Sequence, residues 1–333
     1  MRDSLLVAGL LGILAGAAHA DDRVTVQLDW VIRGCHAMVF VANERGYFRE
    51  QGIEIAAVRT GTSSSDALDL VGNGSADFGF ADLPTLAVSR EDGVPAVALV
   101  AVNQKSPLAM IALAKRKTLR SPKDLRGLDI GVQPAGSTYV FLKAFLAANG
   151  MSLADIEETS VTPPYEDDLL SGRVDAVPGY IDAEVPVLES KSGGAGSLSI
   201  LLGSDFGYTV LGAGLFTSER MIAERTDLVR RFVKAYVKAF AEVIGDPEAA
   251  ADSIIRANVD APPRDVLVGQ LKADIEHTFL SNQTKEHGIG WMSRGQWEET
   301  ARVLSEQGVL HKPGEIERAY DTRFIAAADP ARR

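Results

Sequence analysis

The sequence predicts an α/β protein built as two lobes with a ligand cleft between them, and three observations carry that expectation. Short apolar runs alternate with helix-period segments almost throughout, the pattern of strands linked through helices. At 333 residues the chain is longer than one ordinary domain, since domains cluster at about 100–150 residues. Two strand-like crossings, near Pro107–Leu113 and Tyr208–Leu215, read as hinges. They assign residues 21–107 plus 212–333 to lobe 1 and 108–211 to lobe 2.

VTVQL (Val24–Leu28) reads as the first strand. A helix begins over His36–Asn43 with Phe40 and Val41 inward, and Gly52 turns the chain into the strand IEIAAV. GTSSSDALDLV starts a helix at its serines, with Leu68 and Val71 at i and i+3 on one face. ADFGFA and VPAVALVAVN are strands, the second a buried one, and MIALAK is another. Pro122 opens a short helix, LDIGV is a strand, and Ser137 or Thr138 is expected to cap the helix that Gly150 stops. VDAVPGY ends a strand and LSILL is a further one. TVLGAGLFTS crosses back, and a mostly helical last third follows, with a long helix near Asp227–Ile244, returning to cover lobe 1.

Composition narrows the function classes. The chain is 46% apolar and 24% charged, as globular proteins are, and its formal charge is −11 with no compensating basic stripe. Nucleic acid is therefore not an expected partner. A single cysteine permits no internal disulfide. Residues 1–20 read as an export signal: Arg2, an apolar stretch from Leu5 to Ala18, and Ala18-His19-Ala20 as the cleavage pattern. That stretch is shorter than the ~20 residues a membrane span wants. A periplasmic location is expected.

Ligands of open α/β sheets sit beyond the carboxyl ends of the strands. Five turns there gain interest: Asp29–His36, Gly61–Ser65, Ala81–Pro84, Pro134–Thr138 and Gly179–Glu184. Thr62 and Ser63 on one helix start, and Ser137 and Thr138 on another, offer hydroxyls beside free backbone N–H groups. Ordinary capping is the plainer reading of each. Neither turn carries the Lys of a phosphate loop. Tyr180 offers a stacking face and a hydroxyl, and Glu184 or Asp182 can accept from an amino-substituted heterocycle. Asp82 is either a helix N-cap before Pro84 or a ligand contact. Trp30 and His36, after the first strand, are expected to wall the pocket.

The adjacent Cys35 and His36 could be a nucleophile and base, a metal site, or neither. Metal spacing is lacking, with no second cysteine and the other histidines remote. Neighbours at a helix start point in different directions, so Cys35 is expected to be a small buried side chain. No G-x-S-x-G, H-E-x-x-H or G-x-G-x-x-G pattern is present. No catalytic residue, metal ligand or cofactor is expected.

Several passages together resemble the solute-binding proteins of ABC transporters, of the thiamine-pyrimidine-precursor type. They are VQLDW…HAMVFVANERGYFREQGIEI, GTSSSDAL, GNGSADFGFAD and GRVDAVPGYIDAE, with DLVRRFVKAYVKAF and GWMSRGQWEETARVLSEQGVL in the tail. Wider relatives bind sulfonates, taurine, nitrate or riboflavin. The resemblance implies the two-lobe periplasmic binding protein fold of type II, a monomer that closes on a small molecule, and delivery to an inner-membrane ABC permease. It places Trp30, His36, Tyr180 and Glu184 in the pocket. Val31–Cys35 departs from the Asn and Pro that pyrimidine binders tend to carry there, and Arg33 could instead face an organic anion. Fungal thiamine-pyrimidine synthases share the fold, but their cysteine-rich motif is absent. A ligand sensor for a membrane kinase is a third possibility.

Overall fold

The computed structural model describes residues 22–134, 136–162 and 165–328. The expected export signal, residues 1–20, lies outside them. Chain order alternates strands and helices: β1 (Asp22–Gln27), β2 (Ile53–Arg59), β3 (Phe78–Asp82) and β4 (Ala96–Ala101) come first. β5 (Leu108–Leu113), β6 (Asp129–Val132), β7 (Glu157–Ser160), β8 (Ala176–Tyr180) and β9 (Leu198–Leu202) follow, and β10 (Ala213–Ser218) comes last. They form two five-stranded sheets, ordered β2-β1-β3-β10-β4 and β7-β6-β8-β5-β9. Within each, one strand runs against its neighbours: β10 is antiparallel to β3 and β4, and β5 to β8 and β9. All other pairings are parallel, so their carboxyl ends, and the turns that follow, share one edge.

The crossings between the sheets lie further towards the N-terminus than the sequence implies. Leu108–Leu113 is wholly β5, buried at every position, and Ala213–Leu215 already belongs to β10. Apolar residues in both stretches are sheet cores, which is why they read as strands. The connecting pieces lie at 102–107 and 203–212, and they bond to each other: Ser106 N–H donates to Val210 O at 3.0 Å and Gly212 N–H to Asn103 O at 2.9 Å.

The last third packs on the first sheet. The Thr226–Gly245 helix buries Leu228, Val229, Phe232, Val233, Tyr236, Ala239, Phe240 and Val243 along one stripe. Phe232 stacks on Phe78 of β3, with centroids 3.8 Å apart, and on Phe48 at 4.7 Å. Truncating it to alanine would cost about 3–5 kcal/mol. Further along, the Arg264–His277 helix runs beside the turn after β1. Gly34 allows this approach, because a Cβ there would lie 2.9 Å from Gln270 Cβ and 3.0 Å from Leu271 N.

Candidate functional site

The turns at the strand ends meet in one place. A cavity of about 30 Å³ is lined from the first sheet by Asp29, Trp30, Arg33, Ser63 and Ser64. From the second come Gln133, Gly136, Ser137, Thr138, Tyr165, Tyr180 and Glu184. That space holds a water or two, against roughly 300 Å³ and upward for a drug-sized ligand. Larger binding therefore requires the two faces to part.

On the first-sheet side the centre is a buried ionic cluster. Asp29 follows β1, and its carboxylate accepts from Arg33 Nη2 at 2.8 Å and bonds His36 Nε2 at 2.9 Å. His36 Nδ1 accepts from the Arg33 backbone N–H at 3.3 Å. The proton therefore sits on Nε2, which donates to Asp29, and neither ring nitrogen is free to act as a base. Burial lowers the His36 pKa more than the Asp29 bond raises it, so the ring is neutral. Burial pushes Asp29 up, but Arg33 and His36 outweigh it and hold the carboxyl below its ordinary range. Gly61 is what lets the next turn close over this cluster: a Cβ there would fall 2.2 Å from Leu28 O.

On the second-sheet side, Tyr180 ends β8 and its hydroxyl shares a 2.6 Å hydrogen bond with Ser137 Oγ. Glu184 opens the Glu184–Ser192 helix. Its carboxyl accepts from Tyr180 N–H at 2.6 Å and from Tyr165 Oη at 3.1 Å. Burial pushes that carboxyl up to about 7, against the Tyr180 N–H bond, which favours the charged form. The two sides already touch: the Arg33 guanidinium lies over the Tyr180 ring, 4.9 Å from its centroid.

Six of the nine sequence-predicted residues line this cavity: Trp30, Ser63, Ser137, Thr138, Tyr180 and Glu184. Three stand elsewhere. His36 is buried behind the wall, edge-on to Phe80 with centroids 5.0 Å apart, and orients Asp29. Thr62 is exposed and bonds Asp66. Asp82 is the N-cap reading: it accepts from Thr85 N–H at 3.0 Å and Oγ1 at 2.7 Å, and burial pushes its carboxyl up to about 7. Ser63 caps its helix, accepting from Asp66 N–H at 3.1 Å, while also lining the cavity. The expected cap at Ser137 or Thr138 is corrected: Gly136 occupies the N-cap with no side-chain bond, because Ser137 is turned to Tyr180 instead.

Asp29, Ser64, Gln133 and Tyr165 were not singled out in sequence. Asp29 and Arg33 at i, i+4 were a readable signal; Tyr165, in a polar stretch after two prolines, gave none. Cys35 is buried, and burial raises its thiol well above the usual range, so it is no nucleophile. Its Sγ lies within 4.8 Å of oxygens of Asp182 and Asp274. The Arg33 guanidinium facing Cys35 and Asp182 opposes a cation there.

Residues 34–250 match the family described as NMT1/THI5 like. The chain belongs to that family. It is 25% identical to the riboflavin-binding protein RibY of Chloroflexus aurantiacus, over 91% of this chain and 86% of that one. It is also 25% identical to the formylaminopyrimidine-binding protein of Halalkalibacterium halodurans, over 97% and 99%. Proteins of Saccharomyces cerevisiae named 4-amino-5-hydroxymethyl-2-methylpyrimidine phosphate synthase match at 25% identity over 69% of each chain. Among solved structures, the alkanesulfonate-binding protein SsuA of Xanthomonas axonopodis pv. citri superposes with a TM-score of 0.70 at 18% identity, covering 92% of this chain and all of that one. The fold is that of the periplasmic solute-binding proteins. No helix among the described residues is long and apolar enough to cross a membrane.

Proposed function

We propose that the protein is the periplasmic substrate-binding component of an ABC importer. It captures a small aromatic N-heterocycle, such as a thiamine pyrimidine precursor, between two lobes and hands it to an inner-membrane permease. The lobes, 21–107 with 212–333 and 108–211, part and close about the paired crossing segments, and the exported chain works as a monomer.

The observation that carries the ligand class is the charge state of the cavity wall. Arg33, the one cation among the described residues that line it, is paired with Asp29 at 2.8 Å, so it leaves little net positive charge to receive an anion. Opposite it, Glu184 titrates near 7 and can present an acceptor to an exocyclic amine and, when protonated, a donor to a ring nitrogen. Arg33 Nε is buried with no hydrogen-bond partner among the described residues and offers one further donor. Trp30, half-buried, and Tyr180 supply aromatic faces from opposite sides. Similarity to a formylaminopyrimidine-binding protein over nearly the whole chain supports the same class. No chemistry is proposed, since His36 has no free ring nitrogen and Cys35 is a buried thiol.

Thermal unfolding against a ligand panel tests this. Hydroxymethyl- and formylamino-pyrimidines, thiamine, riboflavin, taurine, other sulfonates and aromatic carboxylates form the panel. A ligand at about 1,000 times its Kd adds roughly 4 kcal/mol, which raises the midpoint by several degrees. A shift with pyrimidines is the expected result. A shift confined to sulfonates or carboxylates would replace the heterocycle by an organic anion, with Arg33 released from Asp29 to receive it.

A further inference from the structure

Away from the cavity, the Arg264–His277 helix joins the ligand turn to the crossing segments. Gln270 accepts from Gly34 N–H at 2.8 Å and donates to Ala183 O at 3.2 Å, bridging the two faces. One turn later Asp274 Oδ1 accepts from Asn103 Nδ2 and from Thr278 Oγ1, each within 2.7 Å. At the helix end, Thr278 O receives Gln104 N–H at 2.7 Å. Residues four apart share one helix face, so Gln270, Asp274 and Thr278 form a row from the Tyr180–Glu184 turn to the first crossing.

Asp182, in that turn, faces the same row. Asp182 is 2% exposed and Asp274 wholly buried. Asp182 Oδ1 and Asp274 Oδ2 receive no hydrogen bond from any other described group. Oxygens of both lie with Cys35 Sγ inside 4.8 Å of one another. Two carboxylates so close in a dry site cannot both ionise. The other charged or titratable groups around them are few. Arg33 is held by Asp29, Cys35 is a thiol, and Glu184 stands two residues from Asp182. If the faces part, Asp182 leaves with the second sheet while Asp274 stays with Asn103, Thr278 and the helix. Each acid would then meet water alone.

We propose that Asp182 and Asp274 are positioning residues that act as a proton-operated latch: shutting the two faces traps one proton between their carboxyl groups, and its loss favours the open form. Burial raises both carboxyls, Asp274 well above the ordinary range, in agreement with a shared proton. The raised side is the protonated side, so the closed form is favoured at low pH. It weakens as pH climbs from the ordinary carboxyl range towards the pair's own. The role assigned to opening rests on the receptor reading above; the shared proton does not.

Small-angle scattering of the ligand-free full chain between about pH 5 and about pH 9 reads the open fraction. Each proton released on opening raises the open-to-closed ratio about tenfold per pH unit. Glu184 adds a proton of its own near 7, so the comparison is made in Glu184→Gln. That variant should open by about tenfold per unit, and Glu184→Gln with Asp274→Asn should stay shut throughout. An asparagine at 274 keeps an acceptor for Asn103 and Thr278 and gives Asp182 an N–H. Glu184→Gln with Asp182→Asn tests the same proton from the other partner, should Asp274→Asn fold poorly. Identical pH courses with and without Asp274→Asn overturn the latch, as does a radius that never changes. A course abolished by chelator and restored by zinc also overturns it, assigning the cluster to a metal ion. Because no ligand is used, silence across the ligand panel leaves this result standing, and a failed latch leaves the panel result standing.

Discussion

Replacing Arg33 with methionine should expose how the site is held together. Arg33 and Asp29 have side chains only 5% exposed, and they meet at 2.8 Å. Methionine fills similar volume but leaves Asp29 charged in a dry setting, with the His36 N–H at 2.9 Å and Ser64 Oγ at 3.5 Å as donors. Removing one partner of a buried pair costs about 3–5 kcal/mol. At about 2–4 °C per kcal/mol for a chain of this order, the midpoint should fall by roughly 6–20 °C at pH 8. The penalty should shrink in acid. The backbone N–H of residue 33 still occupies His36 Nδ1, so the ring stays neutral and the proton goes to Asp29, whose burial Arg33 no longer opposes. A carboxyl whose folded pKa is raised weakens the fold above that value and returns the stability as pH falls through it. Part of the loss should therefore return at pH 5. Removing both charges, Asp29→Asn with Arg33→Met, should be much milder than Arg33→Met alone, because no ion is left unpaired. Calorimetric scans of the three proteins at two pH values decide it. An Arg33→Met midpoint within about 2 °C of wild type at pH 8 would refute the claim that this cluster is dry and mutually dependent.

Other substitutions separate binding from folding. Glu184→Gln keeps an acceptor for the Tyr180 N–H and turns an amide donor to Tyr165 Oη, a hydroxyl that can accept it, but removes a carboxyl raised from 4.5 to about 7. That raised group weakens the wild-type fold between those values, by up to roughly 3 kcal/mol at pH 8. The variant should match wild type near pH 4 and exceed it at pH 8 in urea titrations; equal stability at both would count against the burial argument. Trp30→Ala, at a half-buried position, should leave the midpoint nearly unchanged yet weaken a pyrimidine at least tenfold by calorimetry, about 1.4 kcal/mol. Unaltered affinity would remove Trp30 from the pocket. Gly61→Ala places a carbon 2.2 Å from Leu28 O, which backbone cannot yield cheaply, so it should destabilise by about 1–3 kcal/mol. A neutral result would mean that the turn relaxes freely.

Much of the fold was legible because its signals are local. β4 and β5 are unbroken apolar runs, the Ser64–Gly72 helix announces itself with Ser63 and Asp66, and the long Thr226–Gly245 helix carries one apolar stripe. β7 was not legible. Its residues, EETS, are polar and largely exposed at a sheet edge, so neither alternation nor an apolar run marks them. The expected hinges ran on into β5 and the start of β10 for the opposite reason: sequence sees apolar strands there but not which sheet each one joins.

The sequence by itself determined the α/β class, the placement of candidate residues at strand ends, and the family resemblance, because each rests on short-range pattern and residue type. Tertiary structure alone decided which polar groups are spent on one another. His36 supports Asp29, Asp82 caps a helix, Arg33 is claimed by Asp29 before any ligand arrives, and Ser137 turns from capping to Tyr180. It also brought Asp182 and Asp274, 92 residues apart in sequence, into one buried acid pair. Hydrogen bonding and desolvation depend on distance and burial, and both are set by packing between segments remote along the chain.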